Sequence, residues 1–286
     1  MESIFVLFKV ENMKYIITSI LALTLVFSST AQTKETRDVP RFRKISYRTP
    51  GKLYVRQGSP QKVVLEGSSE TLQDIETIVK DDRLIIGRED YDDWFSWRHS
   101  DRDRINVYIT VENLNGLSVS GSGDLYGETI FKSDEMDLRV SGSGSMELEV
   151  DLTGDLTADV SGSGDLRVKG NCRDLSSRVS GSGKVYIANE IRGQAKFGLS
   201  GSGKVLAAGR AESVKASISG SGKVLAADLV TESCDVTISG SGDVEINVKK
   251  ELDAKITGSG SVNYKGNPSH VNSHSSGSGK VRKMEG

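Results

Sequence analysis

The stretch Val160-Ser-Gly-Ser-Gly-Asp-Leu-Arg-Val168 recurs with small changes through more than half of the chain. Its tetrad, Ser-Gly-Ser-Gly with one Thr-Gly-Ser-Gly copy, occurs nine times at intervals of 18 to 21 residues. The copies begin at Ser120, Ser141, Ser161, Ser180, Ser200, Ser219, Ser239, Thr257 and Ser276. A period this constant is typical of a solenoid, in which each repeat forms one coil stacked on the next.

Apolar residues occupy the same three places in each repeat, counted from the first residue of the tetrad. One residue before it stand Val119, Val140, Val160, Val179, Leu199, Ile218, Ile238 and Ile256; five before it stand Met136, Leu156, Leu175, Ala195, Val214, Cys234, Leu252 and Val271; five after it stand Leu125, Met146, Leu166, Val185, Val205, Val224, Val244, Val262 and Val281. These offsets are odd, so in an extended chain the apolar residues share one face with both glycines. We expect that face to point into the core, with glycine where walls approach or the chain bends.

The serines of the tetrad fall on the opposite, outward face, where a serine ladder would exchange hydrogen bonds along the stack. Nothing apolar recurs at helical spacing, and glycine pairs and β-branched residues disfavour helix. Parallel pairing of successive coils would place valine on valine and leucine on leucine. The sequence therefore predicts an all-β protein, a parallel β-helix with coils of about 19–20 residues.

Residues 1–31 are interpreted as a signal peptide. Lys14 precedes an apolar run from Ile16 to Phe27, and the small residues before Gln32 suit cleavage. The two acidic residues ahead of Met13 suggest that translation begins at Met13. The run is too short to span a membrane, and no second apolar run follows it, so we expect an exported protein that is periplasmic, outer-membrane-associated or extracellular, with no membrane span after cleavage.

Residues 32–116 show the same alternation without tetrads. Leu53–Val55, Val63–Leu65, Leu84–Ile86 and Ile105–Val111 are predicted strands, and 71–80 is either a short helix or another coil. We expect this region to form irregular N-terminal coils and a cap of the β-helix, and residues 117–286 to form regular coils. A C-terminal cap is predicted at 267–274, where the pattern decays.

The composition excludes some classes of partner. The 37 basic and 39 acidic residues give a net charge of −2, so nucleic acid is not an expected partner. Cys172 and Cys234 lie three coils apart, roughly 14 Å along the axis, which is too far for a disulfide. Both are predicted to be free thiols, with Cys234 buried.

The residue after each tetrad forms another outward column: Asp124, Ser145, Asp165, Lys184, Lys204, Lys223, Asp243, Ser261 and Lys280. Its three consecutive lysines are candidate ligand contacts for an anionic glycan or a partner surface. The alternative interpretation is a solvated charged edge that blocks sideways aggregation.

A second group of candidate ligand contacts lies between Arg88 and Arg104, which differs from the rest of the chain. It holds both tryptophans, Trp94 and Trp97, with Phe95 between them. Aromatic side chains on a loop provide platforms for sugar rings or a protein partner. The alternative is that they cover the open end of the solenoid.

No catalytic, cofactor-binding or metal site is predicted. Gly198-Leu-Ser-Gly-Ser-Gly-Lys204 fits most of a phosphate-binding loop, but Val205 stands where a hydroxyl must reach magnesium. The Gly-Ser-Gly-Asp copies lack the nine-residue period of calcium-binding β-rolls. His270 and His274 have i, i+4 spacing but lie in a non-helical tail, where that spacing does not converge on a metal.

The chain resembles a known family in Phe42-Arg-Lys-Ile45, Leu53-Tyr-Val-Arg-Gln-Gly58, Leu84-Ile-Ile86 and Leu117-Ser-Val-Ser-Gly-Ser-Gly-Asp-Leu125. The family is described as putative auto-transporter adhesin, head GIN domain, and the likeness covers residues 40 to 280. It consists of exported proteins common in Bacteroidetes. The resemblance implies a right-handed parallel β-helix and an adhesin-like role, without catalytic residues to carry over.

These observations predict an exported, non-enzymatic β-helix that acts as an adhesin-like cell-envelope or surface binding module. The expected partner is a glycan or a surface protein, and the sequence is also compatible with a homo-oligomer. Two alternatives remain at this point: a polysaccharide-acting β-helix enzyme, since some β-helices cleave glycans, and a purely structural envelope protein.

Overall fold

A computed structural model describes residues 32–87 and 104–284. Among these described residues, the structure has one helix, α1 (Ser69–Gln73). Its strands are β1 (Thr33–Arg37), β2 (Lys44–Tyr47), β3 (Gly51–Gln57), β4 (Lys62–Gly67), β5 (Glu76–Lys80), β6 (Arg83–Gly87), β7 (Ile105–Val111), β8 (Gly116–Gly121), β9 (Asp124–Ser133), β10 (Met136–Gly142), β11 (Ser145–Leu152), β12 (Leu156–Gly162), β13 (Asp165–Cys172), β14 (Leu175–Gly181), β15 (Lys184–Ile191), β16 (Gln194–Gly201), β17 (Lys204–Gly220), β18 (Lys223–Gly240), β19 (Asp243–Gly258), β20 (Ser261–Lys265), β21 (His270–Gly277) and β22 (Lys280–Lys283).

The strands stack in parallel as a β-solenoid of about eight turns, which confirms the predicted fold. Each tetrad separates two faces of a coil. The pre-tetrad face consists of β8, β10, β12, β14, β16 and the later halves of β17 to β19; the post-tetrad face consists of β9, β11, β13, β15 and their earlier halves. The register joins equivalent positions of successive repeats, such as Val140 with Val160 and Met146 with Leu166.

The core is a narrow interior between the two faces, filled by the predicted apolar columns. Residues of these columns are buried from Val119 to Val262. The last coil departs from this pattern, since Val271 is 40% exposed and Val281 is only partly buried. Ser273 and Ser275 replace apolar residues there, paired in register with Ala254 and Ile256. The final coil therefore ends the stack with polar side chains.

The two glycines of each tetrad have different roles, and the prediction that both face the core is correct only for the second. The second glycine is buried: a Cβ on Gly164 would lie 2.4 Å from the carbonyl oxygen of Gly144 and 2.6 Å from Cγ1 of Val140. The first glycine is only half-buried in most coils and has positive φ, as at Gly162 (φ +109°). It forms the corner between the two faces, where positive φ favours glycine.

The tetrad serines point outward as predicted, but the hydrogen-bonded ladder is wrong. Ser161, Ser180 and Ser200 are exposed. No tetrad hydroxyl in the described residues takes part in a hydrogen bond. Neighbouring strands lie about 4.8 Å apart, whereas hydroxyl pairs bond at about 2.5–3.0 Å. The hydroxyls therefore face solvent, and backbone hydrogen bonds join the coils.

The N-terminal region adds coils to the stack in an order that differs from the chain. The coil formed by β2 and β3 lies between β6 and β7 on one side and β8 and β9 on the other. Gln57 fastens this inserted coil: its amide donates to the carbonyl oxygens of Glu112 (3.1 Å) and Lys132 (3.0 Å) and accepts from Lys132 N (2.7 Å). Beyond it, β4 pairs antiparallel with β7 and β1, and β5 pairs antiparallel with β6.

The segment 71–80, predicted as either a short helix or another coil, contains the end of a short helix followed by a strand. Ser68 caps helix α1, since its hydroxyl accepts a hydrogen bond from Thr71 N at 3.1 Å. The helix ends at Gln73, and β5 follows as an antiparallel partner of β6. Antiparallel, charged edge strands at this end of the stack oppose addition of further strands.

Asn189 is a buried polar side chain without hydrogen-bond partners in the described part of the chain. Asn189 is 2% exposed, and neither its amide oxygen nor its nitrogen has a hydrogen-bond partner among the described residues. We expect Asn189→Val to raise the free energy of unfolding by about 1 kcal/mol, since an unbonded buried amide costs about 1–3 kcal/mol. Val150 and Leu229 occupy the same column two coils away on either side. Urea denaturation would measure the change.

A matched control for this prediction is Ser177→Ala. Ser177 is also fully buried, but its hydroxyl donates to the carbonyl oxygen of Ala158 at 2.9 Å. Removing a bonded group should lower the stability slightly or leave it unchanged. A neutral or destabilising effect of Asn189→Val would contradict the assignment of an unpaired amide.

Candidate functional site

A groove of about 760 Å³ runs along the post-tetrad face, across seven strands from β9 to β19. Six strand spacings make it roughly 29 Å long. Two ridges arise from irregular pairing. Residues 127–130 bulge from β9 where its register with β11 shifts, and residues 227–229 bulge from β18 where its register with β19 shifts. The regular strands between these bulges form the floor, since a bulge locally bends a strand away from its neighbours.

The middle of the floor is apolar although it faces outward. Tyr186, Leu206 and Leu225 stand in register six residues after the start of their tetrads. Ala188 and Ala208 form the next outward column, also in register. All five line the groove, and none is buried. This is an accessible apolar surface bounded by charges, an arrangement typical of binding sites.

The charged groups lie at the two ends of the groove. At one end Lys169 pairs with Glu149 at 2.9 Å, and the guanidinium of Arg167 lies over the ring of Tyr186 at 4.5 Å from its centroid. At the other end Asp228 contacts Lys265 at 3.9 Å. In the column of the floor, Tyr186 is followed at one end by Arg167 and then Glu147, and Leu225 is followed at the other end by Glu245. The ends are thus polar and mostly paired, whereas the centre offers no hydrogen-bonding side chain besides the tyrosine hydroxyl.

The structure brings the three predicted lysines together beside this floor. Lys184, Lys204 and Lys223 are register neighbours in consecutive coils, each two residues before Tyr186, Leu206 or Leu225. Side chains two apart on a strand share a face, so the lysine column runs along one side of the apolar column. Asp165 precedes Lys184 and Asp243 follows Lys223 in the same column.

An ion pair joins the end of the lysine column to Asp243. Lys223 Nζ lies 2.7 Å from the Asp243 carboxylate, which also accepts from Ser261. The hydrogen bond to Asp243 raises the pKa of Lys223. Partial burial raises the pKa of Asp243, but the bonds from Lys223 and Ser261 outweigh it and the pKa is lowered overall. Lys204, whose register neighbours are both lysines, is where positive charge concentrates.

Trp94, Phe95 and Trp97 lie outside the described residues. Their proposed ligand contacts therefore stay a prediction.

The structure also shows aromatic residues that the sequence analysis did not select. Tyr54 is stacked between Tyr108 (5.3 Å between centroids) and Tyr126 (5.6 Å) on the post-tetrad face. Lys34 lies over the Tyr108 ring at 5.6 Å. The ring faces are thus occupied by each other or by a cation, so this ladder stabilises the N-terminal coils rather than offering a flat platform to a sugar.

Neither the floor residues nor the tyrosine ladder was predicted, although their signal is in the sequence. Aligning the repeats on the sixth residue after the tetrad start gives Tyr126, Glu147, Arg167, Tyr186, Leu206, Leu225 and Glu245. Apolar residues in an outward column are unusual enough to mark a surface that something covers.

The described residues offer little that is typical of catalysis. Both cysteines are free and buried, as predicted for Cys234, and burial raises the pKa of each thiol to about 12. Such thiols stay protonated and are poor nucleophiles. Residues 32–87 and 104–284 contain no group of three or more histidine, cysteine or acidic side chains able to hold a metal ion. His270 and His274 are exposed on β21, about 13 Å apart along the strand.

Comparison with known proteins gives consistent results. The model of the family described as putative auto-transporter adhesin, head GIN domain, matches residues 41–206 and 190–268. A search of curated proteins found no match. Within the described part of the chain, helices are too short or too polar to cross a membrane.

Several solved structures share the fold. A putative lipid binding protein from Parabacteroides distasonis has a TM-score of 0.67 at 20% identity. A putative adhesin from Parabacteroides merdae has 0.67 at 18%, and one from P. distasonis has 0.64 at 21%. Each alignment covers 90% of this chain and 98% of the other. At these identities the likeness shows a common fold.

Proposed function

We propose, since the chain belongs to the family of putative auto-transporter adhesins with a head GIN domain, that it is a non-enzymatic binding module of the cell surface. An adhesin family is one of surface or exported proteins. The finer location, whether periplasmic, outer-membrane-associated or extracellular, is part of this proposal. So is the expected partner, a glycan or a protein of a surface.

One observation carries the proposal: an outward apolar floor, beside a lysine column, in the groove of the post-tetrad face. The tetrad serines of the pre-tetrad face form polar outward columns, and the outward tyrosine ladder of the N-terminal coils has its ring faces occupied. A groove formed by paired strands is present before a ligand binds, which lowers the cost of binding. The groove favours a binding module over a purely structural envelope protein.

A second candidate, a polysaccharide-acting enzyme, is favoured by one cluster. Glu147, Glu149, Arg167 and Lys169 lie together at one end of the groove. Glycan cleavage needs carboxylates with a positioned acid or base. Here Lys169 is engaged with Glu149, and Arg167 with Tyr186 and, at 3.7 Å, with Asp165. These contacts support a structural role and favour the binding module.

A groove variant should separate binding from the alternatives. We expect Leu206→Glu/Leu225→Glu to weaken binding to a surface glycan or protein at least tenfold, a loss of about 1.4 kcal/mol or more, because it places two charges on the apolar floor. The measurement is an array of glycans and surface proteins probed with the chain from Gln32 onward. Residues 33–286 of it form one compact unit.

The control variant is Ser219→Glu/Ser239→Glu, which adds the same charge to the same two strands on the pre-tetrad face. Equal loss in both variants would show a charge effect unrelated to the groove. A parallel arm with Trp94→Ala/Trp97→Ala tests the aromatic segment. Release of reducing or unsaturated ends from any polysaccharide on the array would overturn the non-enzymatic assignment.

A further inference from the structure

We infer that the groove holds the acyl chain of an anionic lipid, with the lipid's negatively charged group at Lys204. This inference rests on the proposed binding function and specifies its ligand. It follows from three features of the groove: what its floor can bind, what it cannot bind, and where its uncompensated charge lies.

The floor suits a flexible hydrocarbon chain. Leu206 and Leu225 pack side by side on adjacent strands, and Tyr186 extends the strip by one coil. Ala188 and Ala208 beside them are small, which leaves a channel rather than a ridge. On the rim Ile130 is 48% exposed, one of few large apolar side chains so exposed in the described residues. Covering these groups with methylene groups removes apolar surface from water.

The same floor is poorly suited to a sugar. The backbone groups of the floor strands are used in pairing with the strands on both sides. The face of Tyr186 is covered by Arg167. A sugar ring laid on Leu206 and Leu225 would lose its water without gaining hydrogen bonds, which is unfavourable. An extended peptide would need a free sheet edge, and the floor lies in the middle of the stack.

The charge of the lysine column, which lies beside the groove lining, places the head group. The column Asp165, Lys184, Lys204, Lys223, Asp243 contains three lysines and two aspartates, and Asp165 also lies 3.7 Å from Arg167, so at least one positive charge remains. Lys184 and Lys223 each have an aspartate as register neighbour, and Lys204 has none. Five acids line the groove, and they lie on its outer strands β9, β11, β18 and β19: Glu128, Glu147, Glu149, Asp228 and Glu245. An anionic group therefore fits at the centre of the long side, next to Leu206.

The test uses three soluble probes below their aggregation concentrations: dodecyl phosphate, dodecyl maltoside and inorganic phosphate. Isothermal titration of the chain from Gln32 onward should show dodecyl phosphate binding with 1:1 stoichiometry and more tightly than dodecyl maltoside. Inorganic phosphate alone should not bind measurably. Binding of inorganic phosphate as tightly as dodecyl phosphate would contradict an acyl site.

Two substitutions assign the two parts of the ligand. Leu206→Glu/Leu225→Glu should weaken both dodecyl probes at least tenfold, with Leu206→Ala/Leu225→Ala as an uncharged version that also weakens both. Lys204→Gln should weaken dodecyl phosphate at least threefold and leave dodecyl maltoside unchanged. Ser219→Glu/Ser239→Glu should change neither. All these side chains point outward, and thermal unfolding would check that each variant is folded.

The outcomes distinguish the ligand from the function. If dodecyl phosphate fails to bind, or binds the floor variants as well as the parent, the lipid inference is wrong. If in that case a glycan or protein on the array still depends on Leu206 and Leu225, the binding-module proposal stands with another ligand. If neither binds, both are overturned. Equal weakening of the two dodecyl probes by Lys204→Gln would refute the position of the head group.

Discussion

Replacing Gly181 by alanine should destabilise the solenoid by about 2 to 4 kcal/mol, because positive φ and a backbone clash act together. Gly181 has a φ of +110°, and a Cβ there would lie 2.6 Å from the carbonyl oxygen of Gly162 in the preceding coil. Gly183→Ala should have a similar effect although Gly183 lacks a positive φ. Its Cβ would lie 2.5 Å from Cγ1 of Val160, inside the core, and 2.6 Å from the carbonyl oxygen of Gly164. Urea denaturation of the purified variants measures both.

The neighbouring coil supplies a control with the same chemical change. Gly198 lies in the pre-tetrad face with negative φ, and a Cβ on it would make only ordinary contacts, 3.7 Å to Cγ of Arg178 and 4.0 Å to the carbonyl oxygen of Ser177. Gly198→Ala should be neutral or stabilise the protein by about 0.4–1 kcal/mol, since it reduces the freedom of the unfolded chain. If Gly181→Ala and Gly198→Ala have equal effects, the corner role assigned to the tetrad glycine is wrong.

Gly181 and Gly183 show how much of the structure the repeat alone predicts. The alternation of Val179, Gly181 and Gly183 with serines correctly places the apolar columns and the strand pairing, because period and alternation determine which residues stack. Alternation also places both glycines inward, yet Gly181 turns the chain instead. A corner interrupts the two-residue alternation, and the sequence marks the corner only by the presence of glycine.

The N-terminal coils were less predictable. The strands at 53–55, 63–65, 84–86 and 105–111 lie where the alternation places them. The alternation does not predict the order in which these strands stack, because β2 and β3 lie between coils that come later in the chain. Without tetrads, these coils carry no column that could align them. The bonds of Gln57 to the backbone at 112 and 132 that fasten this arrangement join residues far apart in sequence.

The groove was missed because it depends on bulges. The lysine column was found from its constant offset, and the structure places Lys184, Lys204 and Lys223 side by side as that offset implies. Irregular insertions at 127–130 and 227–229 raise the ridges that turn a flat face into a groove. A repeat analysis treats such insertions as noise, although bulges often re-aim side chains at functional sites.

Deleting one whole coil should leave a folded protein, whereas deleting half a coil should abolish the fold. Removal of Ser180 to Leu199 joins Val179 directly to Ser200, so every column stays in phase. The stability of a solenoid is close to a sum over coils and their interfaces, so unfolding should stay cooperative at a somewhat lower temperature. Removal of Val185 to Gln194 eliminates β15 and leaves a coil with one face. Circular dichroism during heating would show whether the cooperative transition survives.

The whole-coil deletion also separates the fold from the site. In the shortened stack Asp165 becomes the register neighbour of Lys204, so the positive charge assigned to the head group is reduced. The pair of Leu206 and Leu225 is untouched, but Tyr186 and Ala188 are lost from the floor. Dodecyl phosphate should therefore bind at least threefold more weakly to a protein that still melts cooperatively. The fold tolerates the loss of a coil, whereas the proposed site does not. Unchanged affinity would therefore mean that neither the lysine column nor the strip at Tyr186 contributes to binding of the ligand.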